Sequence, residues 1–494
     1  MGNSRCPLHC DCGHQYSRRQ FLRDSAGLLL APVVLGGCAT LTGQDSARIR
    51  TIQPQGEASR VQPVIRAAFV RREGEYGMLW PGAVYDGEAA HSMYTDKMAS
   101  CAKRVGAALE LRSEPLYSLD AAKEWVQEAE RDGVAGMFLV VLDRQQHSWP
   151  SAQAVAGSDM PSIIYSPLGT SFTTNTVHLA ETTGCVVYST DDFAQAAYGM
   201  KMLVARARMH STRCVVIRGD RRYDATLADT GIQLLHVPAG TFIDMYNQTP
   251  EEPEILALAD EYMRLARMQK GASRQDVVNG VRSYYVAGKI LEQEQADAIT
   301  MDCLGALGNI DVSLPCIAWS RMNDDGIPAA CEADPGAVAS HIMVQYLFDR
   351  PGFQQDPVAD TSDDTLIGAH CSCPTALNGF DGAKEPFDLI HHHGMRDAVP
   401  RTLWRTGQRV TIMDFLPGDP AQEKKSQMLI STGAVVENIS VPPAGGCVVS
   451  VKVKVDGGQE VLSFPGFHQL FFYGDYGREL RDFCQLCGYE AVVV

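Results

Sequence analysis

From residue 63 to about 350 the chain alternates short apolar runs with longer segments of helical spacing. Residues 63–70 read as a strand, 136–142 and 161–165 as continuous apolar strands, and 121–132 carries Ala122, Trp125, Val126 and Ala129 at the spacing of one helical face. Continuous apolar strands between amphipathic helices predict a parallel sheet covered on both faces. The pattern then repeats. Strands are expected at 185–188, 214–218, 234–237, 298–302 and 315–319, and helices at 193–209, 251–269, 274–293 and 333–348. After 353 the texture changes to short alternating segments (365–371, 409–414, 428–436, 446–453 and 468–473) before a last helical stretch at 477–487. The fold class predicted is α/β: two doubly wound parallel-sheet (Rossmann-like) domains, 61–175 and 176–352, followed by an antiparallel β-barrel-like domain, 353–494.

Composition adds few constraints. The chain has 494 residues, 45% of them hydrophobic and 21% charged, which is ordinary globular material. The formal net charge of −16 argues against a nucleic-acid partner and against a purely electrostatic hold on anionic lipid.

The N-terminus reads as an address. Ser17-Arg18-Arg19-Gln20-Phe21-Leu22 is a twin-arginine signature, followed by an apolar run over 26–35 and then Leu35-Gly36-Gly37-Cys38, which has the form of a lipobox. Residues 1–40 are therefore expected to be a twin-arginine signal with a candidate lipidation site at Cys38, and 41–60 a polar tether. The expected location is periplasmic or lipid-anchored to a bacterial membrane, with no contact to lipid beyond that anchor. Of the 15 cysteines, most after residue 40 sit in apolar settings, such as Cys185, Cys214 and Cys316, and read as small buried hydrophobes rather than a disulfide framework.

Three short stretches carry candidate chemistry: Cys331-Glu332-Ala333-Asp334, Gln355-Asp356-Pro357 and Gly466-Phe467-His468. Each sets a carboxylate or an imidazole at the edge of an apolar segment. Two carboxylates and one histidine make a plausible ligand set for a hard to borderline divalent cation such as Mn²⁺, with positions left for substrate oxygens. Each residue also has a structural reading. Glu332 and Asp334 suit the first turn of a helix, Asp356 before Pro357 suits a turn, and His468 suits a hydrogen-bonded strand start.

Together these stretches resemble the active-site strip of the L-fucose isomerase and L-arabinose isomerase superfamily. The family's acidic residue in an Ala-Cys-Glu-x-Asp setting corresponds to Glu332, and its second metal carboxylate, 24 positions later, to Asp356. Its metal histidine, which opens a late strand running into Gly474, Gly477 and Leu480, corresponds to His468. The chain differs from the family pattern in having Phe467 before the histidine and Pro357-Val358 after the second carboxylate. The resemblance implies a metal-dependent aldose–ketose isomerase acting through an enediol. Glu332, Asp356 and His468 would be the metal ligands, Glu332 and Asp356 the proton-transfer groups, and a small sugar the substrate. It also implies a homo-oligomer, a trimer or hexamer. The competing classes are an exported non-catalytic carbohydrate-binding protein and a metal-dependent hydrolase or lyase on the same fold. No nucleotide-binding glycine motif is present.

Weaker candidates for the substrate pocket are His370 at a strand end, His391 and His393 in a histidine triplet, and Trp80 and Trp404 as aromatic platforms. Cys371, Cys373, Cys484 and Cys487 have the residue type for a thiolate zinc site, though core packing explains them as well.

Overall fold

The computed structural model describes residues 49–80, 83–392, 396–439, 448–458 and 461–494. The expected signal, Cys38 and His393 lie outside the described residues.

Strand β1 (Val64–Val70) leads into a hairpin of β2 (Gly77–Trp80) and β3 (Ala83–Asp86). The strands β4 (Ala108–Leu111), β5 (Gly136–Val141), β6 (Ser162–Ser166) and β7 (Cys185–Ser189) then complete an all-parallel sheet ordered β4-β1-β5-β6-β7. β5 and β6 are buried at every residue, as expected of strands covered on both faces. The covering helices begin with α1 (Gly87–Val105), α2 (Leu119–Asp132), α3 (Ser148–Ala156) and α4 (Thr173–Ala180). α2 shows the local logic. Ser118 caps its start by accepting from Ala121 N, left-handed Gly133 ends it, and Ala122, Trp125, Val126 and Ala129 are its buried stripe. β7, grouped with the second unit from its sequence position, is the edge strand of this first sheet.

Helix α5 (Phe193–Ser211) enters a second sheet made of β8 (Arg213–Ile217), β9 (Tyr223–Thr226), β10 (Gln233–Val237), β12 (Ala298–Met301) and β13 (Ala329–Cys331). Its order is β13-β12-β8-β10-β9, parallel except for β9. Helices α6 (Ala239–Gln248), α7 (Pro253–Leu265), α8 (Arg274–Glu294), α9 (Cys303–Leu307), α10 (Cys316–Asp324) and α11 (Pro335–Phe348) accompany it. Two local expectations are corrected here. Residues 316–319 form the first turn of α10, not a strand; the helix is buried almost all round, so its apolar run carries no helical periodicity to distinguish it from a strand. The helix expected over 251–269 ends at Leu265, and β11 (Met268–Lys270) pairs in a small sheet with β16 (Phe387–His391) and β17 (Ala398–Thr402).

The remaining strands form a closed barrel. β14 (Phe353–Asp360), β15 (Thr365–His370), β18 (Arg409–Leu416), β19 (Gln427–Asn438), β20 (Val449–Val455) and β21 (Gln469–Tyr473) pair antiparallel in the order β18-β21-β14-β15-β20-β19, with β19 returning to β18. After helix α12 (Gly477–Cys487), β22 (Glu490–Val493) adds parallel to β19. Two apolar clusters bind these layers. One joins the second sheet to the barrel interior, and the other joins the first sheet, α5, α11 and the barrel wall. The described cysteines are all free thiols, nine of them buried, in keeping with the reading as small hydrophobes. Cys371 and Cys373 belong to one cluster and Cys484 to the other, so they serve packing. No helix among the described residues is long and apolar enough to cross a membrane.

Candidate metal centre

Four chain segments meet where the second sheet abuts the open end of the barrel. β13 ends at Cys331, and its backbone N–H donates to the Gln354 side-chain Oε1 on β14 at 2.9 Å, which ties the two sheets together at this point. Glu332 and Ala333 follow with φ of 66° and 51°. Two consecutive side-chain-bearing residues in the left-handed region store strain of roughly 1–3 kcal/mol each. They turn the chain sharply from β13 into α11. Asp334 caps that helix, its Oδ1 accepting from Gly336 N at 2.7 Å and Ala337 N at 3.1 Å.

The barrel supplies the other groups through its register. β14 and β21 pair Phe353 with Phe471, Gln354 with Leu470 and Gln355 with Gln469. One step further along that register sets Asp356 opposite His468, and opposed residues of an antiparallel pair share a face. β21 pairs with β14 only up to Gln355, so Pro357 falls where the strand is an edge and its missing N–H costs no ladder bond. Asp356 therefore stands in a strand rather than the turn that an Asp-Pro pair suggests. Across β14, Asp356 pairs with Ala369, which brings His370 alongside.

The result is a convergence on one imidazole. His468 Nε2 lies 3.4 Å from Glu332 Oε2 and 3.3 Å from Asp356 Oδ1, and His370 Nε2 lies 3.7 Å from Glu332 Oε1. Ligand atoms of Glu332, His370 and His468 all fall within 4.8 Å of one another. Donors around a single cation at about 2.1 Å stand roughly 3–3.5 Å apart, so the 3.3 and 3.4 Å spacings at His468 Nε2 could be spanned by one cation. The buried nitrogens His468 Nε2, His370 Nδ1 and His370 Nε2 have no hydrogen-bond partner, which is costly unless something else meets them. A nitrogen–carboxylate donor set suits a borderline divalent cation. The two imidazoles form a buried floor, while the Glu332 and Asp356 side chains are 32% and 31% exposed. Such a site is closed below and open to solvent above, as a catalytic metal site needs to be.

Asp334 completes the arrangement. Its Oδ2 sits 2.7 Å from His468 Nδ1, fixing the ring so that Nε2 faces Glu332 and Asp356. A carboxylate behind a ligating histidine orients it and raises its basicity. Electrostatics follow the same geometry. Burial disfavours a charge on His468, but the hydrogen bond to Asp334 and the carboxylates of Glu332 and Asp356 close to Nε2 push its pKa up to about 10. The His468 ring beside it holds the Glu332 carboxyl below its ordinary range. Burial and the His468 charge push His370 down to about 4, leaving it neutral at neutral pH. Further in, burial with the charges of His370 and His468 pushes His341 down to about 3. Burial and the Asp334 charge push the Asp414 carboxyl up to about 8.

Among the expected site residues, Glu332, Asp356 and His468 thus come together. His370, expected to line the substrate pocket, joins them as a candidate ligand. His391 is elsewhere, its Nε2 3.6 Å from Asp276 Oδ2. Trp404 is a buried core residue packed on Phe353 and Tyr473. Trp80 lies on the separate β2–β3 hairpin, against Phe172 and the Arg144 guanidinium. Asp334 and His341 were not singled out from sequence. Asp334 was accounted for as a helix start, and the only hint of its second role is that it shares a four-residue stretch with Glu332.

Neither a scan against protein-family models nor a search of curated proteins found a match to this chain.

Proposed function

We propose that this protein is a divalent-metal-dependent aldose–ketose isomerase acting on a fucose- or arabinose-like sugar. On this reading it is a member of the L-fucose isomerase superfamily exported by the twin-arginine route and assembled as a homo-oligomer. The observation that carries the reading is the meeting of Glu332 and Asp356 oxygens within 3.4 Å of His468 Nε2 at an open sheet edge, with His370 beside them. These are the groups that the sequence resemblance selects, close enough together to share one cation.

When bound there, a divalent cation such as Mn²⁺ supplies Lewis-acid polarisation of a carbonyl and a template for two neighbouring oxygens. The protein's own groups do the rest. Glu332, its carboxyl held below the ordinary range by the neighbouring His468 and His370, takes the proton from the carbon next to the carbonyl and returns it to the adjacent one. Asp356, whose Oδ1 lies 3.3 Å from the same His468 nitrogen, moves the hydroxyl proton between the two oxygens. Asp334 keeps the His468 proton on Nδ1 and Nε2 turned inward. His370, neutral and buried, adds a second nitrogen without adding charge.

The test is exchange of the proton at sugar C2 in deuterated water by the metal-loaded chain. Exchange that disappears in Glu332→Gln supports the isomerase. Metal binding without exchange across an aldose and ketose panel would overturn it in favour of a sugar-binding protein or a metal-dependent hydrolase or lyase.

A further inference from the structure

The rim of the metal cleft carries strongly exposed apolar side chains. Four large apolar side chains among the described residues are more than three-fifths exposed: Leu79, Val358, Leu462 and Phe467. Three of them cluster in sequence and space about the site. Phe467 immediately precedes His468, 66% exposed, its ring 4.6 Å from the imidazole and edge-on to it. Val358, 62% exposed, is two residues past Asp356 on β14, and strand alternation sets it on the same face. Leu462, 66% exposed, lies in the short turn 461–463 that packs against β14.

The chain is built to hold Phe467 outward. Gly466 has φ of 86°, and a Cβ there would fall 2.0 Å from Asp414 Oδ2. Only glycine passes this close to the buried carboxylate in that conformation. The turn that results points His468 into the floor and Phe467 out over the mouth. Burial normally hides such a ring, and leaving it in water forgoes roughly 1.5–3 kcal/mol.

The charge around the cleft is as one-sided as its rim is apolar. The groups that act most strongly on Glu332, Asp334 and Asp414 are histidines, carboxylates and helix N–H groups, with no lysine or arginine among them. A dianionic substituent entering this cleft would meet the carboxylates of Glu332 and Asp356.

Resting on the isomerase reading above, we propose that Phe467 and Val358 are specificity-determining residues. They select an uncharged substrate whose carbon skeleton, beyond the two reacting carbons, turns a C–H face free of hydroxyl and phosphate toward this rim. A sugar ring or chain has such faces, and an exposed aromatic side chain can pack against them.

The experiment compares substrates identical at C1 and C2 but ending in methyl, hydroxymethyl or phosphate ester, using the Mn²⁺-loaded full chain and its Phe467→Ser, Phe467→Trp and Val358→Thr variants. The wild type should favour methyl over hydroxymethyl by about 3- to 10-fold in kcat/KM and should not turn over the phosphate ester. Phe467→Ser should abolish that preference, Phe467→Trp should keep it, and Val358→Thr should weaken it, with Mn²⁺ affinity unchanged in all three. A preference unaltered in Phe467→Ser, a uniform loss on all substrates, or preferred turnover of the phosphate ester would overturn the proposal. Calorimetric binding of the corresponding polyols to the Mn²⁺-loaded chain reads the same preference without turnover. If nothing in the panel isomerises, the reaction assignment fails, and the polyol series alone decides the rim: discrimination lost in Phe467→Ser upholds it, and equal binding of all polyols by wild type rejects it.

Discussion

The molecule has two doubly wound sheets, and the C-terminal strand edge of each is the place where open α/β sheets bind ligands. The two edges are chemically unlike. At the first, the loops after β1 and β5 carry three arginines, but each is already engaged. Arg72 pairs with Asp143 at 2.9 Å, Arg71 with Glu88 at 2.7 Å, and Arg144 donates to Gly169 O while stacking near Trp80 and Phe172. At the second, the chain leaves β13 through a strained pair of residues and delivers Glu332 to His468 Nε2 and to His370, nitrogens that make no hydrogen bond. Topology permits a site at both edges. Unmet polar demand, supplied by the barrel's His370 and His468, makes one only at the second.

That contrast can be broken by substitution. The largest effect is expected for His468→Ala, which removes the common point of the cluster: Mn²⁺ affinity should fall by at least about 100-fold, read by calorimetry, with activity lost. Asp334→Asn should come next. It keeps the helix cap but weakens the hold on His468 Nδ1, costing roughly 10- to 100-fold in metal affinity at nearly unchanged thermal stability. Asp334→Ala should add a cap loss of about 1 kcal/mol.

A subtler difference concerns pH. His341 is buried with neither ring nitrogen hydrogen-bonded, and its pKa of about 3 lies below the roughly 6.5 of an unfolded histidine. The unfolded chain therefore takes up a proton in a window where the folded chain does not. The stability tied to His341 is full above about pH 6.5 and is lost as pH falls from there toward 3. Urea midpoints at pH 7 and pH 4.5 should converge in His341→Leu relative to wild type; an equal drop in both proteins would refute this. The smallest effect is expected at the first sheet. Trp80→Ala should cost about 0.5–1 kcal/mol of stability through the lost Arg144 contact and leave metal affinity within twofold; a large fall in affinity would abolish the distinction between the two edges.

Much of the architecture was legible because continuous apolar strands and amphipathic helices mark themselves. α10 was not, since a helix buried on nearly every side loses the polar face that reveals its period. Glu332, Asp356 and His468 were legible as a spaced set, but not the reason they meet. Asp356 opposes His468 through the register of β14 and β21, strands more than a hundred residues apart, and no local signal encodes a long-range register. Asp334 was hidden by its own adequacy as a helix cap, since one oxygen satisfies α11 and the other holds His468. Trp404 shows the converse. An aromatic residue that suits a sugar platform by type is committed to the core by its neighbours.

The central claim is that Glu332, Asp356, His370 and His468 hold one divalent cation. The most direct measurement is an Mn²⁺ titration of the full chain followed by electron paramagnetic resonance, beside Glu332→Gln, Asp356→Asn, His370→Ala and His468→Ala. The account predicts one bound Mn²⁺ per chain in the wild type and weakened binding in each variant, most of all in His468→Ala. Absence of stoichiometric binding by the wild type, or equal affinity in all five proteins, would contradict it.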